Sequence, residues 1–474
     1  MRKFLFLFFL LFAIAGLSGQ SKIKVHLPGA ENMLAYVWTY SDYISYTKTA
    51  IGTYNIDSKG NLEFTIYPGG LKPVYIQINF FHITFFVEKG KNYEVAVVPI
   101  DYSDLAYFPK SSITYLMPER KIIKPAEKDF NKGLTEVNRL FAEFTDSNYL
   151  ALIRGFNTPL LVDSFTRVVN NFVDSFDNKN LRGYTDYQLA ELGLLSHRLS
   201  NKMVVDSFFA NGKLDLNNPY SMRFFNSYWS NYLMMKGTGY TPFQLDSVIN
   251  RVRSYAALSA LLGNDPLLQD SLLRELVIIR NIPQLYTNRR FNKKALEDIL
   301  SDISGSKLSK AHQFIATNVR KQMLARNTGS PAFDFSFITT EGDTIKLKSF
   351  EGKYLYLNIW DTDCPECLAE MELTKELYQD FDDIIDFVSI SVDGDTAFMR
   401  KYIEEREFQW TFAHIGTNFQ FLYDYQVDIL PRYILIDKNG RIEMWNAPAP
   451  SKHFSDIFLK MLNDKKGNLN LEQR

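Results

Sequence analysis

Both cysteines of this 474-residue chain fall within Asp361-Thr362-Asp363-Cys364-Pro365-Glu366-Cys367-Leu368-Ala369-Glu370. Thiols three positions apart can serve as half of a zinc site, as a covalent staple, or as a dithiol that is oxidised and reduced. Zinc needs two more ligands, and the chain offers no other Cys and only six scattered His. A staple gains little here, because closing so short a loop removes little freedom from the unfolded chain. Redox chemistry uses the pair fully. A thiolate attacks a disulfide sulfur, and a second thiol within reach then releases the product.

That chemistry favours a helix N-terminus, whose unpaired N–H groups and dipole stabilise a thiolate. The sequence supplies one. Tyr354 to Trp360 is a near-continuous apolar run, the pattern of a central strand, and a helix is expected from Cys364 to about Phe381. Pro365 suits the first helical position, where its missing N–H costs no hydrogen bond. Cys364, at the helix start, is then the more exposed attacking thiol, and Cys367, one turn later, the resolving thiol. A second buried strand is expected at Phe387 to Val392 and a helix at Ala397 to Glu405. Arg432 to Asp437 and Arg441 to Trp445 flank the turn Asp437-Lys438-Asn439-Gly440, and a last helix covers about His453 to Leu462. Phe333 to Thr339 and Thr344 to Leu347 read as a hairpin around Glu341-Gly342-Asp343.

A chain this long exceeds one hydrophobic core, so several domains are expected. The turn-rich break Asn327-Thr328-Gly329-Ser330-Pro331 opens a C-terminal α/β domain over 328–465, followed by a polar, flexible tail at 466–474. Residues 21–108 read as a β-sandwich-like domain. Tyr36, Trp38 and Tyr40 alternate with Val37 and Thr39, Asp57 to Asn61 looks like a hairpin turn, and Glu88 to Asn92 looks like another turn. Residues 109–327 read as a mainly helical, irregular bundle. Leu308, Ala311, Ile315, Val319 and Met323 mark one helix face, and Val-Asp-Ser-Phe occurs at 162–165, 173–176 and 205–208. The first two copies lie close to three helical turns apart and can share a face, but the uneven third spacing argues against a solenoid.

The bulk numbers exclude some classes. A net charge of −1 gives no reason to expect nucleic acid as a partner. Met1-Arg2-Lys3, the apolar run Phe4 to Leu17 and the small residues after it read as a secretory signal peptide over 1–20, with a retained membrane anchor as the alternative although the run is short for a spanning helix. Asp393-Gly394-Asp395 lacks the later ligands of a calcium loop, and His414 reads as structural. No metal and no cofactor is expected.

The C-terminal third resembles the thioredoxin-like domain of the TlpA/ResA family of exported thiol-disulfide oxidoreductases. The resemblance is carried by Pro331-Ala332-Phe333-Asp334-Phe335, by Gly352 to Trp360, by Cys364-Pro365-Glu366-Cys367, and by Ile429-Leu430-Pro431 before Tyr433 to Asp437 and Gly440. It implies a catalytic set of Cys364, Cys367, Glu370 and Pro431. Pro431 matches the family's cis-proline beside the disulfide, and Glu370 matches its active-site Glu, the proton acceptor that helps Cys367 become a nucleophile. It also implies a periplasmic location, client proteins bearing thiols or disulfides, and a membrane-bound electron donor. Three positions differ from common patterns: Asp363 stands where a Trp often precedes the first Cys, Asn358 where thioredoxin has a buried acid, and Glu372 where a Pro often kinks the helix. A peroxiredoxin would need Pro at 357 and Thr or Ser at 361, where this chain has Leu357 and Asp361.

Asp361, Asp363, Glu366 and Glu370 place negative charge near the sulfurs, which disfavours the thiolate and hence the reduced state. A reductase is therefore expected rather than a strong oxidant. The alternative is a non-catalytic binding protein that uses the thioredoxin-like fold as scaffold. Tyr36, Trp38, Tyr40, Tyr43 and Tyr46 could offer an aromatic binding surface on that view, though half-buried strand packing is the better account of them.

Overall fold

The computed structural model describes residues 19–109, 111–125, 127–154, 158–235 and 239–472, with side chains from 465 onward and at 153 and 154 left aside. Residues 1–18 of the expected signal peptide lie outside the described residues. The chain forms two compact units. Among the described residues the first comprises those within 19–76, 83–99 and 118–322, and the second those within 77–82, 100–117 and 323–472. The first unit thus combines β-rich and helical segments that the sequence reading kept apart.

Two four-stranded sheets begin the chain. One has the order β4 (Asn61–Ile66), β1 (Ser21–His26), β7 (Tyr93–Val97), β8 (Arg120–Lys124), and the other β3 (Lys48–Asn55), β2 (Leu34–Tyr40), β5 (Lys72–Ile78), β6 (Phe81–Val87). The turn at Asp57 to Asn61 forms as expected, with Gly60 at φ 74°. It does not close a hairpin, however: it carries the chain from β3 in one sheet to β4 in the other. The alternation read in β2 also breaks. Val37 and Trp38 are both buried because the pairing with β3 shifts register between them. Trp38 stacks on Tyr75 at 4.1 Å and is 2% exposed, so much of that aromatic set is packing.

The helical part runs from Phe130 to Leu324. The first two Val-Asp-Ser-Phe copies share the helix Thr158–Phe176, where Val162, Phe165, Val169 and Val173 form its buried stripe. On Lys310–Leu324 the buried face is His312, Ile315, Ala316 and Val319, whereas Ala311, on the face expected to be apolar, is exposed. A polar pair explains the rotation: His312 Nδ1 lies 2.9 Å from Oε1 of the fully buried Glu275.

The second unit is built on a seven-stranded sheet. Its order is β10 (Thr344–Lys346), β9 (Ser336–Thr339), β13 (Thr411–His414), β12 (Ile385–Ser391), β11 (Tyr354–Trp360), β14 (Arg432–Ile436), β15 (Ile442–Met444). All seven residues of β11 are buried, as a strand flanked on both sides must be. β11, β12 and β13 run parallel, and β14 runs antiparallel to β11. The C-terminal ends of the three parallel strands and the start of β14 therefore share one edge of the sheet. β13 and the short helix Phe419–Asp424 were not read from the sequence. The last helix, Phe454–Glu472, continues through most of the segment read as a flexible tail.

Candidate active site

Buried β11 ends at Trp360, and the chain turns through Asp361 to Asp363 before the helix Pro365–Phe381 begins. Cys364 is the helix cap. Its backbone is extended (φ −102°, ψ 102°) and its Sγ accepts from the Cys367 amide at 3.1 Å. This is the thiolate-stabilising position: one of the helix's orphan N–H groups points at the first sulfur. Pro365 occupies the first helical position, and the helix runs unbroken past Glu372, whose carboxylate instead meets Arg406 at 3.3 Å and Lys375 at 3.4 Å.

Cys364 and Cys367 are joined by a disulfide, with Cα atoms 5.2 Å apart. Contrary to the expectation of an exposed attacking thiol, both residues are fully buried. Beneath the helix, Asn358 is buried and its amide reaches Met371 Sδ at 3.2 Å and Ser389 Oγ at 3.4 Å. The Trp410 indole also donates to Ser389 Oγ, at 3.0 Å. A neutral polar network thus joins the strands that carry Asn358 and Ser389 to Met371 of the helix.

The acidic surround divides by exposure. Asp361 is buried and accepts from the Asp363 amide at 2.7 Å, which shapes the turn, while Asp363 and Glu366 are exposed. Glu370, one turn beyond Cys367, is half-buried, and its carboxylate accepts the backbone amide of Ser451 at 2.9 Å and the Ser451 hydroxyl. The Leu430–Pro431 bond is cis, and Pro431 directly precedes β14 at the sheet edge that carries the dithiol.

Asp393 is a site residue the sequence reading passed over as a failed calcium motif. It follows β12, is buried, and accepts from the Thr362 amide at 2.9 Å and from the hydroxyls of Thr362 and Ser391. Burial raises its pKa above 3.8, opposed by the bonds from Ser391 and Thr362 and by the neighbouring His414. His414, at the end of β13, donates from Nε2 to the Asp393 carbonyl at 2.8 Å and accepts from the Gly416 amide at 3.0 Å, so its place is structural. Only the order of strands, which no local pattern encodes, shows that Asp393 lies beside the Cys364 loop.

Part of the chain is similar to known proteins. The Redoxin family matches residues 327–457. The thiol-disulfide oxidoreductase ResA of Bacillus thuringiensis subsp. konkukian is 30% identical over 135 residues, 28% of this chain and 78% of the relative. ResA of Geobacillus kaustophilus is 33% identical over 131 residues, covering 27% and 74%. Among solved structures, a thiol-disulfide oxidoreductase of Bacteroides vulgatus studied in solution is 30% identical, with a TM-score of 0.27 over 29% of this chain and 93% of that one.

Proposed function

This chain belongs to the TlpA/ResA-like thiol-disulfide oxidoreductases, and from that premise we propose that it is an exported reductase of protein disulfides working through the Cys364–Cys367 dithiol. The observation that carries the proposal is the Cys367 amide directed at Cys364 Sγ at 3.1 Å across the helix cap. The arrangement favours negative charge on the first sulfur and leaves the second one turn behind it.

In the forward reaction the Cys364 thiolate attacks a client disulfide. A bond forms between Cys364 Sγ and one client sulfur, and the other client sulfur leaves as a thiolate. Cys367 then loses its proton, attacks Cys364 Sγ and expels the second client thiolate, which restores the intramolecular disulfide. Two electrons pass from the protein dithiol to the client, and two protons follow them to the client sulfurs. Glu370 takes the Cys367 proton, and Pro431 lines the cleft where the client backbone lies. A dithiol on a membrane-bound donor returns the two electrons.

The reading of 1–20 as a signal peptide supports a periplasmic location, and among the described residues no helix is long and apolar enough to cross a membrane. The two N-terminal sheets, read as a sandwich, and the helices after them select the client.

The test is a trap. Cys367→Ser leaves the mixed disulfide unresolved, so the full chain accumulates a covalent adduct with an oxidised protein substrate, whereas Cys364→Ser forms none. A protein whose binding properties survive replacement of both cysteines, with no adduct in either variant, is the scaffold alternative instead.

A further inference from the structure

Residues 100–117, which connect β7 to β8, belong to the same compact unit as the dithiol. They meet its surroundings on two sides. On one side Leu105, Phe108 and the buried Pro109 line a cleft with Thr362, Asp363 and Gly394. The approach to Gly394 is close: a Cβ there would lie 2.5 Å from Leu105 Cδ2 and 2.8 Å from Phe108 Cγ. On the other side Ser112 pairs antiparallel with Ile429. The Ile113 amide donates to the Asp428 carbonyl at 2.9 Å, and the Leu430 amide donates to the Ser111 carbonyl at 2.9 Å. The strap is anchored further along, where Leu116 exchanges backbone bonds of 2.8 Å with Phe80 and His82, and Phe80 packs edge-on against Phe108 and Phe419.

This placement bears on how a client reaches the sulfurs. Asp428 to Leu430 immediately precede Pro431 and present their N–H and C=O groups as a strand edge, which is where an extended peptide gains affinity by backbone pairing. The chain's own Ser111 to Ile113 already makes those bonds. Both cysteines are fully buried in this arrangement, and the strap lines the cleft beside the loop that leads into Cys364. Two backbone bonds hold the strap to this edge and Phe108, Ile113 and Tyr115 pack against the core, while Leu105 to Tyr107, Ser111 and Ser112 are exposed, so displacing the strap breaks few contacts at the edge itself. Because it is tethered, it competes at high effective concentration.

Resting on the reductase reading above, we propose that residues 105–109 and 111–113 act as a tethered pseudo-substrate: Ser111 to Ile113 occupy the edge beside Pro431 that an extended client segment takes, and the dithiol exchanges with proteins only when they are displaced. The partner this selects is a flexible, extended stretch around a cysteine that can replace both backbone bonds. Small dithiols, which need no strand edge, are discriminated against far less.

Two variants loosen the strap by different means. Gly394→Val puts a side chain where Leu105 and Phe108 lie, and Ile113→Pro removes the donor to Asp428. Exchange is followed with an oxidised cysteine-containing peptide and, separately, with dithiothreitol. Both variants are expected to exchange with the peptide at least about fivefold faster than the parent, with a smaller gain toward dithiothreitol. Unchanged or slower peptide exchange in a variant that keeps the parent's near-ultraviolet circular dichroism overturns the proposal. Hydrogen exchange decides without any strap variant. In a Cys367→Ser protein carrying the peptide on Cys364, the Ile113 amide must exchange faster than in the peptide-free protein, and retained protection with the peptide attached contradicts the inference. If the parent fails to cycle even with dithiothreitol, the reductase reading itself fails, an outcome distinct from equal rates across the strap variants.

Discussion

The amide of Thr362 donates to the carboxylate of Asp393 at 2.9 Å, which ties the loop leading into Cys364 to the end of the neighbouring strand. That carboxylate accepts two bonds from Thr362 and one from Ser391. The loop thus gains its shape from a buried anion that burial disfavours.

The Asp393 pKa is raised above 3.8, so the folded chain holds this proton at pH values where the unfolded chain has lost it. The group's contribution to stability therefore falls as pH rises from about 3.8 through the raised value, and stays at its lower level above it. Asp393→Asn is expected to flatten that part of the stability profile in urea unfolding across acidic to neutral pH. An identical slope in parent and variant would show that Asp393 does not titrate as its burial requires.

Glu370 offers a sharper separation of roles, because its carboxylate is held by Ser451. If it accepts the Cys367 proton, Glu370→Gln slows release of the client from the mixed disulfide by about 10²-fold, the low end of general-base effects. The first attack stays near the parent rate, and the pH dependence of the second step changes. Ser451→Ala serves as the comparison, and stopped-flow exchange with a fluorescent disulfide peptide resolves both phases. Equal slowing of both steps in both variants would reduce Glu370 to a clamp on the helix.

The exposed acids Asp363 and Glu366 flank Cys364 and work against its thiolate. Asp363→Asn with Glu366→Gln should stabilise the reduced form and raise the reduction potential by about 10–30 mV, a two- to tenfold change in the exchange constant, with the larger shift at low salt. Equilibration with dithiol/disulfide buffers at two ionic strengths measures it. A fall in potential would reverse the electrostatic argument.

In the helical region, Glu275 is fully buried and is held by His312 at 2.9 Å and the Tyr255 hydroxyl at 2.7 Å. Removing one partner leaves a buried carboxylate short of a bond. His312→Ala is expected to cost about 3 kcal/mol in chemical denaturation, while replacing both Glu275 and His312 by Leu costs less. A larger loss in the double variant would contradict this reading of the pair.

The local patterns that could be read from the sequence were those with short-range causes. The apolar run of β11, the helix opening at Cys364 and the Glu341-Gly342-Asp343 turn each depend on neighbouring residues, and each forms. What escaped depends on partners far along the chain. Asp57 to Asn61 has a turn's chemistry, yet whether its strands pair is set by β1, thirty-odd positions earlier. The buried face of Lys310–Leu324 is rotated toward His312 because Glu275 waits on another helix. Asp393 and Ser112 carry no motif of their own, and they join the site through strand order and backbone pairing. Burial of Cys364 was missed for the same reason: an exposed cap is the ordinary expectation for a helix start considered alone.

The central claim is that Cys364 and Cys367 form a reducing couple, and the reduction potential of the full chain tests it most directly. Equilibration with dithiol/disulfide buffers, read by alkylation, should give a value near that of thioredoxin, about −270 mV, or lower. A value near −120 mV, that of a strong oxidant, would contradict the reductase assignment while leaving the dithiol chemistry in place.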